Sequence, residues 1–223
     1  MDSTPGASLL LAKAHYPVTV LGPGRRAGIW TQGCTIGCPG CLSRDTWDAD
    51  PRTAVPVDAV LGWLGSLPGP VDGVTISGGE PFQQPAALLA LLRGIRAWRG
   101  TAEVDVLVYS GYTFSRLTRH ARTRELLDWC DAVVTGPYVQ RRGDGGPLRG
   151  SANQRLVALT GLGQRRYDNV TGEETSRMQV SIDSGPDGRR IYYIGIPRHG
   201  DMDRLNSTLE RAGVHPGEVS WRP

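Results

Sequence analysis

The chain has 223 residues, a net charge of +3 and 39% hydrophobic residues, which suits one domain with its own core. No apolar run approaches the roughly 20 residues of a membrane-spanning helix, and the N-terminus, with Asp2, Pro5 and Lys13 around Leu9-Leu10-Leu11, is not a secretory signal. The mild basicity comes with no nucleic-acid-binding motif, so nucleic acid is not an expected partner; four cysteines, three of them too close together for a disulfide framework, fit a reducing cytoplasm.

Residues 1–16 carry little patterning and are expected to form a tether or a short edge element. Val18-Thr19-Val20-Leu21 reads as a strand closed by the turn signal Gly22-Pro23-Gly24. Ile29-Trp30-Thr31-Gln32 reads as the next strand, and it feeds directly into Gly33-Cys34-Thr35-Ile36-Gly37-Cys38-Pro39-Gly40-Cys41. Three thiols at C-x3-C-x2-C spacing in one loop suit a soft metal centre, because thiolates are strong ligands of iron–sulfur and zinc sites. Both sites usually take four ligands, and no further Cys or His follows at the spacing of a structural zinc site. The loop therefore suggests a [4Fe–4S] cluster held by Cys34, Cys38 and Cys41, with one iron open to a ligand that is not protein. Its glycines suit a backbone that must wrap the cluster and donate N–H groups to sulfur.

Apolar residues at 57, 60, 61, 64 and 67 have helical spacing, with Pro56 expected in the first turn and Pro68-Gly69-Pro70 as the stop. Residues 71–76 read as a strand that runs into Ser77-Gly78-Gly79-Glu80-Pro81 and then a helix over 85–98, a βα unit with its site at the strand's carboxyl end. A second such unit has its strand at 104–109, its exit loop at Ser110-Gly111-Tyr112-Thr113, and helices over 113–119 and 125–130 that could be continuous. Ser110 is either a turn residue or a site residue. Cys130, at a helix end before the strand 132–134, is expected to pack in the core and not to act as a fourth ligand. Arg141, Arg142 and Arg149 share one loop and read as a solvated face in preference to a polyanion site. Ser151-Ala152-Asn153-Gln154-Arg155 then enters a strand over 156–159, either as a plain junction or as a set of polar site residues. Residues 163–176 read as a linker, followed by a hairpin with strands at 178–182 and 191–194 and a helix near 202–212. His199 is expected to be a surface residue.

The motifs also resemble a known family. C-x3-C-x2-C is the cluster motif of the radical S-adenosylmethionine (SAM) superfamily, and Gly28-Ile29-Trp30-Thr31-Gln32-Gly33, the closing Cys-Pro-Gly-Cys, Gly78-Gly79-Glu80-Pro81 with Gln83 and Gln84, Tyr109-Ser110-Gly111-Tyr112-Thr113 and Pro147-Leu148-Arg149-Gly150-Ser151 with Asn153-Gln154-Arg155 look like the small activases of anaerobic ribonucleotide reductase. The resemblance covers about residues 17–160. It implies an α/β fold, a partial (β/α)6 barrel as the core at 17–160, with residues 161–223 as a hairpin-and-helix extension packed on it.

It also implies two cofactors, a [4Fe–4S] cluster on Cys34, Cys38 and Cys41 and SAM chelating the open iron. The SAM site is expected from Gly78, Gly79, Glu80, Pro81, Ser110, Tyr112, Asn153 and Gln154, with backbone carbonyls and a carboxylate near the methionine ammonium. The implied activity is reductive cleavage of SAM to a 5′-deoxyadenosyl radical for hydrogen abstraction. Flavodoxin or ferredoxin is the implied reductant and a glycyl-radical enzyme the implied partner. Thr135 stands where such activases often have Asp. Two other readings stay open: a radical SAM enzyme acting on a small molecule or peptide, and a non-catalytic iron–sulfur or zinc protein.

Overall fold

The expected tether is largely a strand. The computed structural model of the protein describes residues 6–170, 177–185, 188–198, 200–214 and 219, and it places β1 over Ser8–Val18. This strand lies inside the sheet, antiparallel both to β2 (Arg26–Thr31) and to β3 (Ala54–Pro56). Its sequence hid this because the register against β2 is irregular between Leu11 and Lys13 and again between His15 and Val18, which scrambles the period-two alternation that announces a strand. The strand expected at 18–21 in fact ends at Val18. Val20 and Leu21 are buried as a turn that packs back on Val18.

The chain then follows the expected order, with small shifts. Helix α1 spans Val57–Gly65, with Pro56 one step earlier than expected, at the N-cap. It leads into β4 (Gly73–Gly78), α2 (Pro85–Arg99) and β5 (Asp105–Ser110). The next helical stretch is broken at His120, whose backbone is extended, into α3 (Phe114–Arg119) and α4 (Ala121–Leu127). Strands β6 (Ala132–Thr135) and β7 (Arg155–Ala158) complete a sheet of order β3-β1-β2-β4-β5-β6-β7.

The α/β class is as expected, with a seven-stranded sheet rich in parallel pairs. Strands β2, β4, β5 and β6 run parallel, whereas β1 and β7 are antiparallel to their neighbours. The cause lies in the connections. A parallel return needs a crossover of a dozen or more residues, usually a helix; between β6 and β7 the chain makes only a loop with one short 3-10 turn at Gln140–Arg142.

Strand alternation divides the core. Ala27, Ile29, Ile76, Val108 and Val133 face the helices, where α2 presents Leu88, Leu91, Leu92 and Ile95 at helical spacing. Cys130 is 1% exposed in this layer, so it packs as expected. On the opposite face Leu107, Ala132 and Val134 meet Tyr167 from α5 (Gly161–Tyr167). That helix occupies part of the expected 163–176 linker; residues 171–176 lie outside the described ones. Thr160 caps α5, its hydroxyl accepting from the Gly163 N–H at 3.1 Å, and Gly163 sits so close to the Asp131 carbonyl that a Cβ would stand 2.0 Å from it.

The extension continues as a two-stranded ribbon, β8 (Met178–Gly185) and β9 (Gly188–Gly195), and α6 (Asp201–Arg211). The ribbon docks on the turn after β1: Ile194 and Tyr192 pack on Val18, Val20 and Leu21. The Gln179 side chain donates to the Pro17 carbonyl at 2.7 Å and accepts from the Thr19 N–H at 2.9 Å. His199 lies outside the described residues. Among the described residues no helix is long and apolar enough to cross a membrane.

Candidate cofactor site

Because β2, β4, β5 and β6 are parallel, their carboxyl ends open on one side of the sheet, at Thr31, Gly78, Ser110 and Thr135. The residues expected in the site lie in the loops on this side or, as Gly78 and Ser110, at the last position of the strand. The cysteine loop leaves β2 and is closed at its base. The Gly33 and Cys34 N–H groups donate to the Thr46 and Trp47 carbonyls, each at 2.8 Å, and the Gln32 side chain donates to the Asp45 and Asp48 carbonyls at 3.0 and 2.7 Å.

Within the loop, Cys34, Cys38 and Cys41 are half-buried free thiols. Gly33, Gly37 and Gly40 all have positive φ, at 100°, 62° and 78°, so the backbone curls in a way that side-chain-bearing residues resist. Burial pushes the Cys34 and Cys38 thiols up from their ordinary range; N–H groups of Ile36 and Gly37 at Cys34, and of Tyr138 at Cys38, pull the other way. The neighbouring cysteines and Glu80 oppose ionisation further. Such a cluster of thiols, ringed by N–H donors but lacking a cation, fits a positively charged iron–sulfur centre. Among the described residues no three His, Cys, Asp or Glu side chains converge closely enough for a single metal ion; thiolates at the corners of a cube stand further apart than those around one zinc ion.

The β4 exit loop touches this loop backbone to backbone. Gly79 N–H donates to the Thr31 carbonyl at 2.8 Å and Glu80 N–H to the Gly33 carbonyl at 2.9 Å. Gly78 has φ of 101°, and a Cβ there would stand 2.5 Å from the Thr31 backbone; at Gly79 it would stand 2.3 Å from the Gly33 carbonyl oxygen. The two glycines are thus required by contact alone, before any ligand is considered.

Glu80 is fully buried, with both oxygens engaged by the chain itself. Oε1 accepts from the Ser110 hydroxyl at 2.9 Å and the Phe82 N–H at 3.1 Å, and Oε2 accepts from the Gly111 N–H at 2.7 Å. It caps the short 3-10 turn Pro81–Gln83 and ties the β4 and β5 exits together. Burial raises its pKa to about 7, outweighing these three donors, which favour the carboxylate. Between the ordinary carboxyl value of 4.5 and about 7, the folded chain keeps a proton that the unfolded chain has lost. Stability should therefore fall as pH rises through that window, by up to about 3 kcal/mol, and level off above it. Urea unfolding across the window should show the slope, and Glu80→Gln should lack it.

Ser110, 5% exposed, spends its hydroxyl on Glu80 and accepts from the Tyr112 N–H at 3.0 Å. The Tyr112 hydroxyl receives the Gln83 side-chain N–H at 2.9 Å, and the same amide reaches the Thr35 hydroxyl at 2.8 Å. Gln83 thus bridges the cysteine loop to the β5 exit. Gln84 does the same toward β1 and β2, donating to the Leu10 and Gln32 carbonyls at 3.2 and 3.0 Å. In sequence the only signal of these bridges is the Gln-Gln pair that follows the Gly-Gly-Glu-Pro turn, which assigns neither glutamine a role.

Thr135 is buried and donates to the Arg155 carbonyl at 3.3 Å. Gly136 N–H donates to the Ser110 and Tyr112 carbonyls at 3.1 and 2.8 Å, joining the β6 exit to that of β5. Gln154 is a loop builder: its oxygen accepts from the Gly150 N–H at 2.8 Å and its amide donates to the Gly136 carbonyl at 3.0 Å. Asn153 differs. Its amide donates to the Pro137 carbonyl at 2.7 Å, while its Oδ1 is buried and unpartnered, an acceptor left over. Arg155 sits at the start of β7 and is exposed.

A family model described as a 4Fe–4S single cluster domain matches residues 20–157. The chain is 32% identical over 147 residues to the anaerobic ribonucleoside-triphosphate reductase-activating protein of Escherichia coli (strain K12), a match that spans 63% of this chain and 93% of that protein. The proteins of the same name from Vibrio cholerae serotype O1 and Enterobacteria phage T4 are 32% and 30% identical, and the matches span 96% and 92% of their lengths. Among solved structures, QueE from Escherichia coli aligns with a TM-score of 0.42 at 18% identity, over 51% of this chain and 59% of that one, too slight a likeness to bear on the fold.

Proposed function

This chain belongs to the 4Fe–4S single cluster domain family and to the small activase group of the radical SAM superfamily, and from that premise we propose that it activates a partner glycyl-radical enzyme, an anaerobic ribonucleotide reductase. The cofactors of the group are a [4Fe–4S] cluster and SAM. When bound, they supply reductive SAM cleavage and a 5′-deoxyadenosyl radical that abstracts hydrogen. The observation that carries this reading is the backbone contact between the cysteine loop and Gly78-Gly79 at the carboxyl ends of the parallel strands. A pure electron carrier has no use for a ligand-binding edge beside its cluster.

In this reading Cys34, Cys38 and Cys41 would hold the cluster and leave its open iron to SAM. The backbone of Gly78 and Gly79 receives the methionine ammonium, because glycine lets a ligand approach carbonyl oxygens closely. Glu80, Pro81, Ser110 and Gln154 act by holding the loops, since their polar atoms are spent inside the chain. Tyr112 and Asn153 face SAM, and the spare Asn153 Oδ1 would accept a hydrogen bond from one of its hydroxyl groups. Flavodoxin or ferredoxin delivers the electron.

The test is anaerobic. The reconstituted protein, given dithionite and SAM, should release 5′-deoxyadenosine and methionine in equal amounts, and with the reductase present it should leave a glycyl radical visible by electron paramagnetic resonance. A bound cluster with SAM left intact, both with and without the reductase, would remove the activase reading.

A further inference from the structure

Arg149, Arg177 and Arg198 meet at an open cleft of about 320 Å³ between the 138–150 loop and the residues that enter β8 and leave β9. Of the three loop arginines, Arg141 and Arg142 are exposed as expected, whereas Arg149 turns into this cleft. The convergence is tight. A Cβ on Gly145 would stand 3.5 Å from Arg198 Nε and 3.8 Å from an Arg177 Nη, and one on Gly146 would stand 2.3 Å from Arg149 Nε.

Three guanidinium groups on one glycine pair face a single carboxylate in the cleft, that of Asp144. Asp144 is already committed to Arg149 at 2.6 Å and to the Gly146 N–H at 3.0 Å. Asp201, the next nearest acid, accepts from the Arg198 N–H at 2.7 Å and pairs with Arg204 at 2.7 Å. Arg177 gives one N–H to the Gly146 carbonyl at 3.0 Å. The Nε atoms of both Arg149 and Arg177 are buried without a hydrogen-bond partner among the described residues. Burial and the charge of Arg198 push Arg177 down from its ordinary value. Like charges held together with donors unspent are a cost to the fold unless an anion joins them.

We propose that this cleft is a binding site for a small phosphate-bearing ligand, held by Arg149, Arg177 and Arg198. Guanidinium forks match phosphate oxygens in pairs, and three converging forks exceed what one carboxylate needs. The cleft is also larger than a single phosphate group, and Tyr138 and Pro197 give it apolar walls. Arg177 and Arg198 lie beyond residue 157, where the 4Fe–4S domain match ends. The site is therefore shared between the 138–150 loop of the matched region and the extension. It shares a wall with the cluster loop, because the Tyr138 N–H points at Cys38 and a Cβ on Gly40 would stand 2.7 Å from the Gln140 side-chain oxygen.

Calorimetric titration of the reconstituted full-length chain tests this, with sodium pyrophosphate in one arm and ATP in the other. Saturable one-site binding that weakens with added salt is expected. Equal affinities would identify the phosphate chain alone as the ligand, and binding of ATP alone would identify a nucleoside phosphate. Arg177→Gln and Arg198→Gln should each weaken binding at least about tenfold, the equivalent of one charge-assisted hydrogen bond. Arg141→Gln, from the same loop but outside the cleft, should leave it unchanged. Arg198 is exposed, so that variant should keep its circular dichroism spectrum. Absence of saturable binding in both arms, wild-type affinity in both cleft variants, or an equal loss in Arg141→Gln would each overturn the site.

Discussion

A Cys38→Ala protein should fold, fail to hold its cluster, and release no 5′-deoxyadenosine from SAM above the background of a protein-free control. The expected loss of activity is complete because two thiolates cannot retain a cubane that three are needed to anchor. Cys130, the remaining cysteine, is buried among the helices, with its thiol donating to the Leu126 carbonyl at 3.3 Å. Burial pushes that thiol well up from its ordinary range, so it cannot serve as a replacement thiolate. The structural cost of the substitution is small. Cys38 is half-buried, and its sulfur takes the backbone N–H of Tyr138. The apo forms of wild type and variant should therefore differ in unfolding free energy by less than about 1 kcal/mol. Iron content, visible absorbance and product yield checked beside urea unfolding separate the loss of a ligand from the loss of a fold. Cys130→Ala gives the reciprocal control, with cluster and product retained. A Cys38→Ala protein that still made 5′-deoxyadenosine would remove the cysteine loop from the chemistry.

What the sequence revealed of this site, and what it hid, follows from how local each signal is. The cysteine loop and the Gly78-Gly79 turn were legible because each packs its chemistry into a few consecutive residues. The reason for the glycines was not, because it lies in the approach of the Gly33 carbonyl from another loop. Glu80 shows the same limit. Its residue type suggested a ligand contact, but only the fold reveals that Ser110 and Gly111 consume its oxygens from 30 and 31 residues away. Strands with clean apolar runs, such as β5 and β6, were placed within a residue or two. Strand β1 was hidden by its irregular register, and the antiparallel return of β7 by a loop that carries only one short 3-10 turn. Helix α5 was hidden by its composition. It reads as polar linker, yet it sends one residue, Tyr167, into the core.

That tyrosine leads to the largest stability effect expected in the chain. Arg26 and Asp105 are both fully buried on the sheet face opposite helices α1 and α2, paired through two bonds, Nη1 to Oδ1 at 2.9 Å and Nη2 to Oδ2 at 2.8 Å. The remaining donors of Arg26 are also placed: Nε gives to the Thr75 hydroxyl at 2.6 Å, and Nη2 gives again to the Val74 carbonyl at 3.0 Å. The Tyr167 hydroxyl donates to Asp105 Oδ2. Room for the guanidinium comes from Gly73, where a Cβ would stand 2.2 Å from Arg26 Nη1. Asp105→Ala leaves that guanidinium buried without its counter-charge and the tyrosine hydroxyl without its acceptor. Breaking one side of a buried pair costs about 3–5 kcal/mol, a large part of the roughly 5–15 kcal/mol that holds a domain of this kind together. The thermal midpoint should fall by many degrees. An Arg26→Met, Asp105→Leu double variant should recover most of the loss, because it removes both charges and not just one. Both residues stand at the amino ends of their strands, β2 and β5, while the cofactor loops leave the carboxyl ends. At a temperature where Asp105→Ala remains folded, its cluster content and SAM cleavage per folded chain should therefore match wild type. A variant with wild-type stability would show that the pair contributes nothing net to the fold. One that stayed folded but lost its cluster would show that the two ends of the sheet are coupled, against the separation of structure and chemistry that the parallel strands impose.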